Sequence, residues 1–276
     1  MTVQELKIKA EEIRLRLIDV IYKARAGHTG GDLSAVNVLT ALYFQVLNTN
    51  PSNLKDPNRD RFVLSKGHCA EVLYCVLEAA GILPSEVLDT YGEDYSPLAG
   101  HPTVQNPGVE INTGALGHGL SAGVGMALSA KMDKKAYKTV VLMGDGEQAE
   151  GSIYEAAMAA SKYKLDNLIA IIDRNGLQIS GRTEDVMPLE NIKERWTAFG
   201  WDVIEMNGDD MEDILKTFNS IAANKKPHLL ISRTTKGKGV SFMENIAKWH
   251  HGVPTAEEYK QAIGEINGRI DELKKK

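Results

Sequence analysis

The chain has 276 residues, of which 25% are charged and 43% hydrophobic, and its formal net charge is -5. That length suits one large α/β domain, the composition excludes wholesale disorder, and the negative charge argues against a broad nucleic-acid surface. Charged residues from Lys7 to Arg16 interrupt any signal-peptide core, no run reaches transmembrane length, and the two cysteines, Cys69 and Cys75, suit buried thiols in a reducing compartment. A cytoplasmic protein with neither nucleic-acid nor membrane partners is expected.

The opening TVQE fits a capping box, with Thr2 and Glu5 starting a helix whose apolar positions are Leu6, Ala10, Ile13, Leu17 and Ile21. Its end is expected near the glycine of ARAGHTGG. SAVNVLTALYFQVL (34–47) and CAEVLYCVLEAAG (69–81) read as buried helices, with a short apolar run, RFVLS, between them. Residues 91–119 are rich in Gly, Pro and Asn, and irregular stretches of that length are usually functional. A helix rich in small residues follows, LSAGVGMALSAKM. TVVLMGD, LIAIID, WDVIEM and HLLISRT are short β-rich runs with helical segments between several of them, which indicates βαβ units and a mainly parallel sheet buried on both faces by helices. DELKKK reads as the solvated end of a last helix. No internal boundary is visible, so residues 1–276 are taken as a single domain with a short C-terminal helical tail.

Two polar turns carry the first chemical signal. A strand over 140–145, a helix over about 148–163 and a strand from 168 form one crossover, which brings Asp145 of GDG and Asn175 of DRNG to the carboxyl edge of a parallel sheet. The helix after Gly146 should aim its N–H groups at that edge, where an anion can sit. A carboxylate, an amide oxygen and a nearby backbone carbonyl are hard ligands suited to Mg²⁺, which commonly completes its octahedron with phosphate and water. Each fragment alone also fits an ordinary strand exit or Asn-Gly turn.

Histidines supply the second signal. His28, His68, His101 and His118 each follow a glycine and His251 precedes one, so backbone can approach a ligand closely at each. No HExxH or CxxC spacing supports zinc, whereas neutral imidazoles can donate to phosphate or carry protons near pH 7. GHGLSA matches a dinucleotide pattern, but INTGAL is a poor strand to precede it and the next acid is enclosed in GDG, which disfavours a nicotinamide site.

GDG followed about thirty residues later by Asn resembles the motif of thiamine-diphosphate enzymes. More closely, GHTGG, RFVLSKGH, LAGHP, TGALGHGLSAGVG, GDGEQAEG, DRNGLQISG, RTTKGKGVSFMEN and HHGVP, in this order over nearly the whole chain, are similar to the diphosphate-binding half of transketolase. The resemblance implies a thiamine-diphosphate-binding fold and thiamine diphosphate with Mg²⁺, for which Ca²⁺ or Mn²⁺ can substitute. It implies that Asp145, Asn175 and the Leu177 carbonyl bind the metal, that His68, Gly146, Asn175 and His251 contact the diphosphate, and that Gly114 and Leu116 face the aminopyrimidine side. It further implies catalytic roles for His28, His101 and His251 around the substrate's oxygens, and a place for Glu150 in a carboxylate network between neighbouring active sites.

Thr29, His118 and Gly176 depart from the residues frequent in that family, which bears on substrate specificity more than on cofactor binding. The implied activity is ketol transfer between sugar phosphates of the pentose phosphate pathway. The pyrimidine-binding half of the family, with its activating glutamate, has no counterpart here, so a separate C-terminal subunit is expected, joined in an α₂β₂ assembly. The rival readings are a subunit of a 2-oxo acid dehydrogenase and a non-catalytic cofactor-binding protein.

Overall fold

The computed structural model describes residues 1–275. Helix α1 (Val3–Ala24) begins with the capping box: Thr2 accepts the Glu5 N–H, and the Glu5 carboxylate accepts the Thr2 N–H at 2.7 Å. It ends as Arg25 turns left-handed at φ 54°, two residues before Gly27. Helix α2 (Thr29–Ala41) starts earlier than its apolar pattern suggests and closes in a π turn, Leu42–Val46. The TGGD segment is buried despite its polar, glycine-rich composition, and packs so closely that a Cβ on Gly31 would stand 2.8 Å from Cys69 Sγ.

Strand β1 (Arg61–Leu64) leads to α3 (Ala70–Ala79) and the short α4 (Ser85–Leu88). The expected irregular stretch then runs to α5 (Gly119–Met132). Next come β2 (Thr139–Gly144), a 3₁₀ turn (Gly146–Ala149), α6 (Gly151–Lys162) and β3 (Leu168–Arg174). A small hairpin, β4 (Leu177–Gln178) with β5 (Gly181–Arg182), is followed by α7 (Thr183–Val186), α8 (Ile192–Ala198), β6 (Asp202–Asn207), α9 (Met211–Ser220) and β7 (His228–Arg233). The chain closes with a 3₁₀ turn (Ala247–His251) and α10 (Ala256–Lys274), which packs on α1 with the Tyr22 and Tyr259 rings stacked at 4.1 Å. Lys276, the last residue of the expected tail, lies outside the described residues.

The helix expected directly after Gly146 begins later than the sequence suggests. The segment after Gly146 is a 3₁₀ turn interrupted at Glu150, whose ψ of 128° is extended, and the α-helix starts only at Gly151. Asp145 accepts the Gly146 N–H at 2.8 Å, which tightens the turn and uses one of the amides the sequence offered to an anion.

The main sheet has the order β1-β2-β3-β7-β6, parallel throughout. Its strands alternate between two apolar layers, as the twofold side-chain period requires. Val140, Leu142, Ile169, Ile171 and Leu230 face the layer of α1, α2, α3, α9 and α10. Val141, Met143, Ala170, Ile172 and Ile231 face that of α5, α6 and α8. Gly123 lets α5 lie against β2, where an added Cβ would collide with Val141 Cγ2. Helices thus cover both faces, and the carboxyl ends of all five strands meet at one edge.

Candidate active site

A cavity of roughly 350 Å³ opens beyond the carboxyl ends of β2 and β3, the place where open parallel sheets bind ligands. Each loop at that edge contributes: His28 at the start of α2, Lys66 and His68 after β1, Gly114 and Leu116 before α5, Asp145 and Gly146 after β2, Asn175 and Leu177 after β3, Lys236 after β7, and His250 from the closing 3₁₀ turn.

The expected metal ligands are together. Asp145 and Asn175 are buried, and both line the cavity with Leu177. Asp145 Oδ2 accepts the Gly176 N–H at 2.7 Å and faces the Arg174 guanidinium at 3.2 Å. Asn175 Oδ1 accepts the Leu177 N–H at 3.1 Å, and the Leu177 carbonyl accepts from Lys236 Nζ at 3.1 Å. Burial, with Asp173 nearby, holds the Asp145 carboxyl above the usual range, against the pull of the Gly176 amide and Arg174. A dication would relieve that cost. Three oxygen donors of this kind, beside a lysine that can take phosphate, fit a metal diphosphate. Among the described residues no group of three His, Cys, Asp or Glu could hold a metal by itself.

Asp173, at the end of an apolar strand, is the hub beneath these ligands. Its Oδ2 accepts from Lys66 Nζ and Ser34 Oγ at 2.6 Å each and from Asn175 Nδ2 at 3.0 Å, while Oδ1 accepts from Thr234. Burial alone would raise its pKa, but the Lys66 charge and these donors hold the carboxyl below the usual range. Asn175 is thereby oriented by its own strand end.

The histidines converge on His28. Its ring lies 5.1 Å from His68, 6.4 Å from His101, 5.8 Å from His250 and 4.6 Å from His251, centroid to centroid. Burial, then the neighbouring histidines and lysines, push the His28 pKa down to about 4. Burial and Lys66 lower His68 to about 2, and burial and Lys236 lower His250 to about 3. These rings are neutral near pH 7, and His28 Nδ1 is buried with no protein partner. Gly114 makes the convergence possible: at φ +138° a Cβ would stand 2.7 Å from His101 Cδ2.

Not every expected residue faces the cavity. His251 touches the cluster from an exposed position, and it is His250 that lines the cavity, its Nδ1 2.9 Å from Lys236 Nζ. Glu150 is exposed outside the cavity, close enough to the 113–119 loop that a Cβ on Gly117 would meet its Cβ at 2.6 Å. His118 is exposed and bonds back to the Leu116 carbonyl at 3.0 Å. Sequence reasoning missed Lys66, Asp173, Lys236 and Glu147. Buried Glu147 accepts the Gly117 and Gly144 N–H groups at 2.8 and 2.9 Å and so joins the loop before α5 to the GDG turn.

Residues 6–268 match the family model described as transketolase, thiamine diphosphate binding domain. The chain belongs to the transketolase family. It is 67% identical, over all of its length and 98% of the relative's, to a protein of Phocaeicola vulgatus named as one subunit of apulose-4-phosphate transketolase. It is 47% identical over 96% of its length to the protein of the same name from Actinobacillus succinogenes, covering 97% of it. Among solved structures it resembles transketolase from Campylobacter jejuni with a TM-score of 0.86 and 32% identity, and that from Leishmania mexicana with 0.86 and 28%. The chain spans under half of those two solved transketolases, 48% and 45% of their lengths, while they cover 100% and 99% of it. This family places the chain with transketolases rather than with 2-oxo acid dehydrogenases.

Proposed function

We propose that this chain is the diphosphate-binding subunit of a two-chain transketolase. Asp145, Asn175 and the Leu177 carbonyl hold Mg²⁺, or Ca²⁺ or Mn²⁺ in its place. Lys236 and the neutral N–H groups of His68 and His250 meet the diphosphate. Leu116 and Gly114 face the aminopyrimidine side. The observation that carries the reading is the meeting of this oxygen triad, Lys236 and the histidine cluster at a single sheet edge.

When bound, thiamine diphosphate supplies the carbanion chemistry that breaks and remakes the bond of a two-carbon ketol unit. The protein's part is to bind, orient and move protons. His28 is neutral and its ring lines the cavity, so it can accept a proton from a substrate hydroxyl and return it to an oxygen. His101 and His251 flank it as orienting groups.

A partner chain carrying the pyrimidine-binding half completes the site, with Glu150 at the rim facing that assembly, and an α₂β₂ heterotetramer is expected. Support comes from the two relatives of matching length, each named as one subunit of a transketolase. Their names also favour apulose 4-phosphate as the ketol donor over the substrates of the pentose phosphate pathway. The setting proposed is the cytoplasm: both cysteines are free and buried, and among the described residues no helix is long and apolar enough to cross a membrane.

The test is a ketol-transfer assay of the chain mixed with its candidate partner, thiamine diphosphate and Mg²⁺, using apulose 4-phosphate or xylulose 5-phosphate as donor and an aldose phosphate as acceptor. Turnover of apulose 4-phosphate without release of CO₂ is expected. Decarboxylation of a 2-oxo acid, or cofactor binding without turnover of either donor, would contradict the reading.

A further inference from the structure

Behind the histidines lie two fully buried carboxyl groups that the site chemistry does not use. Asp32, on the first turn of α2, accepts the Val72 N–H at 3.0 Å through Oδ1. Glu71, on the first turn of α3, accepts the Tyr91 O–H at 2.6 Å through Oε1. Their exposures are 0% and 1%. The other oxygens, Asp32 Oδ2 and Glu71 Oε2, are buried with no donor to serve them, and the Asp32 bond to the N–H of Val72, the residue after Glu71, makes the two carboxyls neighbours that act on each other's ionisation. Two ionised carboxylates so placed would repel in a medium that screens poorly. One proton between the free oxygens satisfies both and replaces the repulsion with a charge-assisted O–H···O bond.

We propose that Asp32 and Glu71 share a single proton and act as positioning residues, a carboxyl clasp that fixes α2 against α3 and so sets the spacing of His28, His68 and His101. The connections are short. The Asp32 N–H bonds to the His28 carbonyl at 3.0 Å, in the first turn of α2. His68 precedes Cys69, the N-cap of α3. Tyr91 touches Glu71, and its neighbour Tyr74 holds the His101 segment by donating to the Ala99 and His101 carbonyls at 2.9 and 3.2 Å.

The titratable and charged groups around the clasp do not replace the shared proton. Lys66 is already engaged by Asp173 and the Gly31 carbonyl. The Cys69 and Cys75 thiols and the Tyr91 phenol are pushed up, chiefly by burial, so they stay neutral. Tyr74 is likewise raised by burial. His251 lies farther out, on the exposed side of the cluster. Burial and mutual repulsion raise the ionisation of Asp32, and burial raises that of Glu71. With folded values raised, the clasp's stabilisation is fully present below the ordinary carboxylate range and is lost as pH rises through the raised ionisation.

The consequence for the histidines rests on the cofactor-site reading, whereas the shared proton does not, and one set of variants separates the two. Asp32→Asn or Glu71→Gln each supplies a permanent donor in place of the proton, while the double variant sets two NH₂ groups face to face. Thermal melting of the full chain is measured at pH 6 and pH 9, with the histidine ring NMR signals recorded alongside. Each single variant should melt within about 2 °C of the parent at pH 6 and above it at pH 9, and the double variant should lose roughly 5 °C or more beyond the sum of the singles. In the double variant the His28 and His68 signals should move.

Additive effects, or a parent whose pH dependence matches that of both single variants, would overturn the shared proton. A destabilised double variant with unmoved histidine signals would overturn the positioning role. Failure of the parent protein, with its partner present, to bind thiamine diphosphate would sink the cofactor reading, yet the melting comparison would still decide the clasp.

Discussion

Asp145 Oδ2 accepts the Gly176 N–H at 2.7 Å, which ties the turn after β2 to the turn after β3. The bond spans neighbouring parallel strands whose ends pair Gly144 with Asp173. It makes the two jaws of the metal-diphosphate clamp one unit, and any change at Asp145 therefore acts on the ligand set and on the turn together.

Asp145→Asn removes the charge a dication needs and keeps one oxygen, which can serve the Gly176 N–H or the Gly146 N–H but not both. The fold should survive with the melting temperature lowered by about 2–5 °C for the lost turn bond, while affinity for thiamine diphosphate in Mg²⁺ falls by about 10- to 100-fold. Calorimetric titration in the presence of the partner chain checks this, and an unchanged dissociation constant would remove Asp145 from the metal site.

Lys66 and Asp173 form a buried pair at 2.6 Å. Lys66→Met leaves Asp173 as an uncompensated charge beneath the site, and breaking such a pair typically costs about 3–5 kcal/mol. Urea denaturation should show a loss of that order, together with weaker cofactor binding because Asn175 loses its oriented neighbour. A loss below about 1 kcal/mol would mean that the remaining donors, Ser34 and Thr234, suffice to hold the carboxylate.

The histidine cluster sets an acid limit. The ordinary histidine value is 6.5, and His28 is lowered to about 4 and His250 to about 3. Their folded values lie below the unfolded one, so the stabilisation from keeping them neutral is present above pH 6.5 and is lost as pH falls through about 4 to 3. The melting temperature should decline on acidification across that window, and the His28 ring signals should stay constant between about pH 6 and pH 8. A His28 titration midpoint near 6.5 would contradict the burial argument.

Much of this site is legible in the sequence because βα crossovers have fixed geometry. GDG and DRNG end consecutive strands, so Asp145 and Asn175 had to meet, and glycines beside His28, His68 and His101 mark loops at that edge. What escapes is set by tertiary packing. Lys66 sits in SKGH like any solvated lysine, and only the fold brings it to Asp173, although an acid closing the apolar run LIAII already hints at a buried partner. His250 and His251 are adjacent on a 3₁₀ turn, and local sequence cannot say which faces inward. The break at Glu150 follows the wrapping of the turn around Asp145 and Glu147, which helical periodicity in GSIYEAAMAASK does not reveal.

The central claim is most directly tested by titrating the candidate partner chain into this one at saturating thiamine diphosphate, Mg²⁺ and apulose 4-phosphate, and following ketol transfer. Activity should be negligible without the partner and should rise to a plateau at one partner per chain. Full activity from this chain alone, or none at any ratio, would contradict the account.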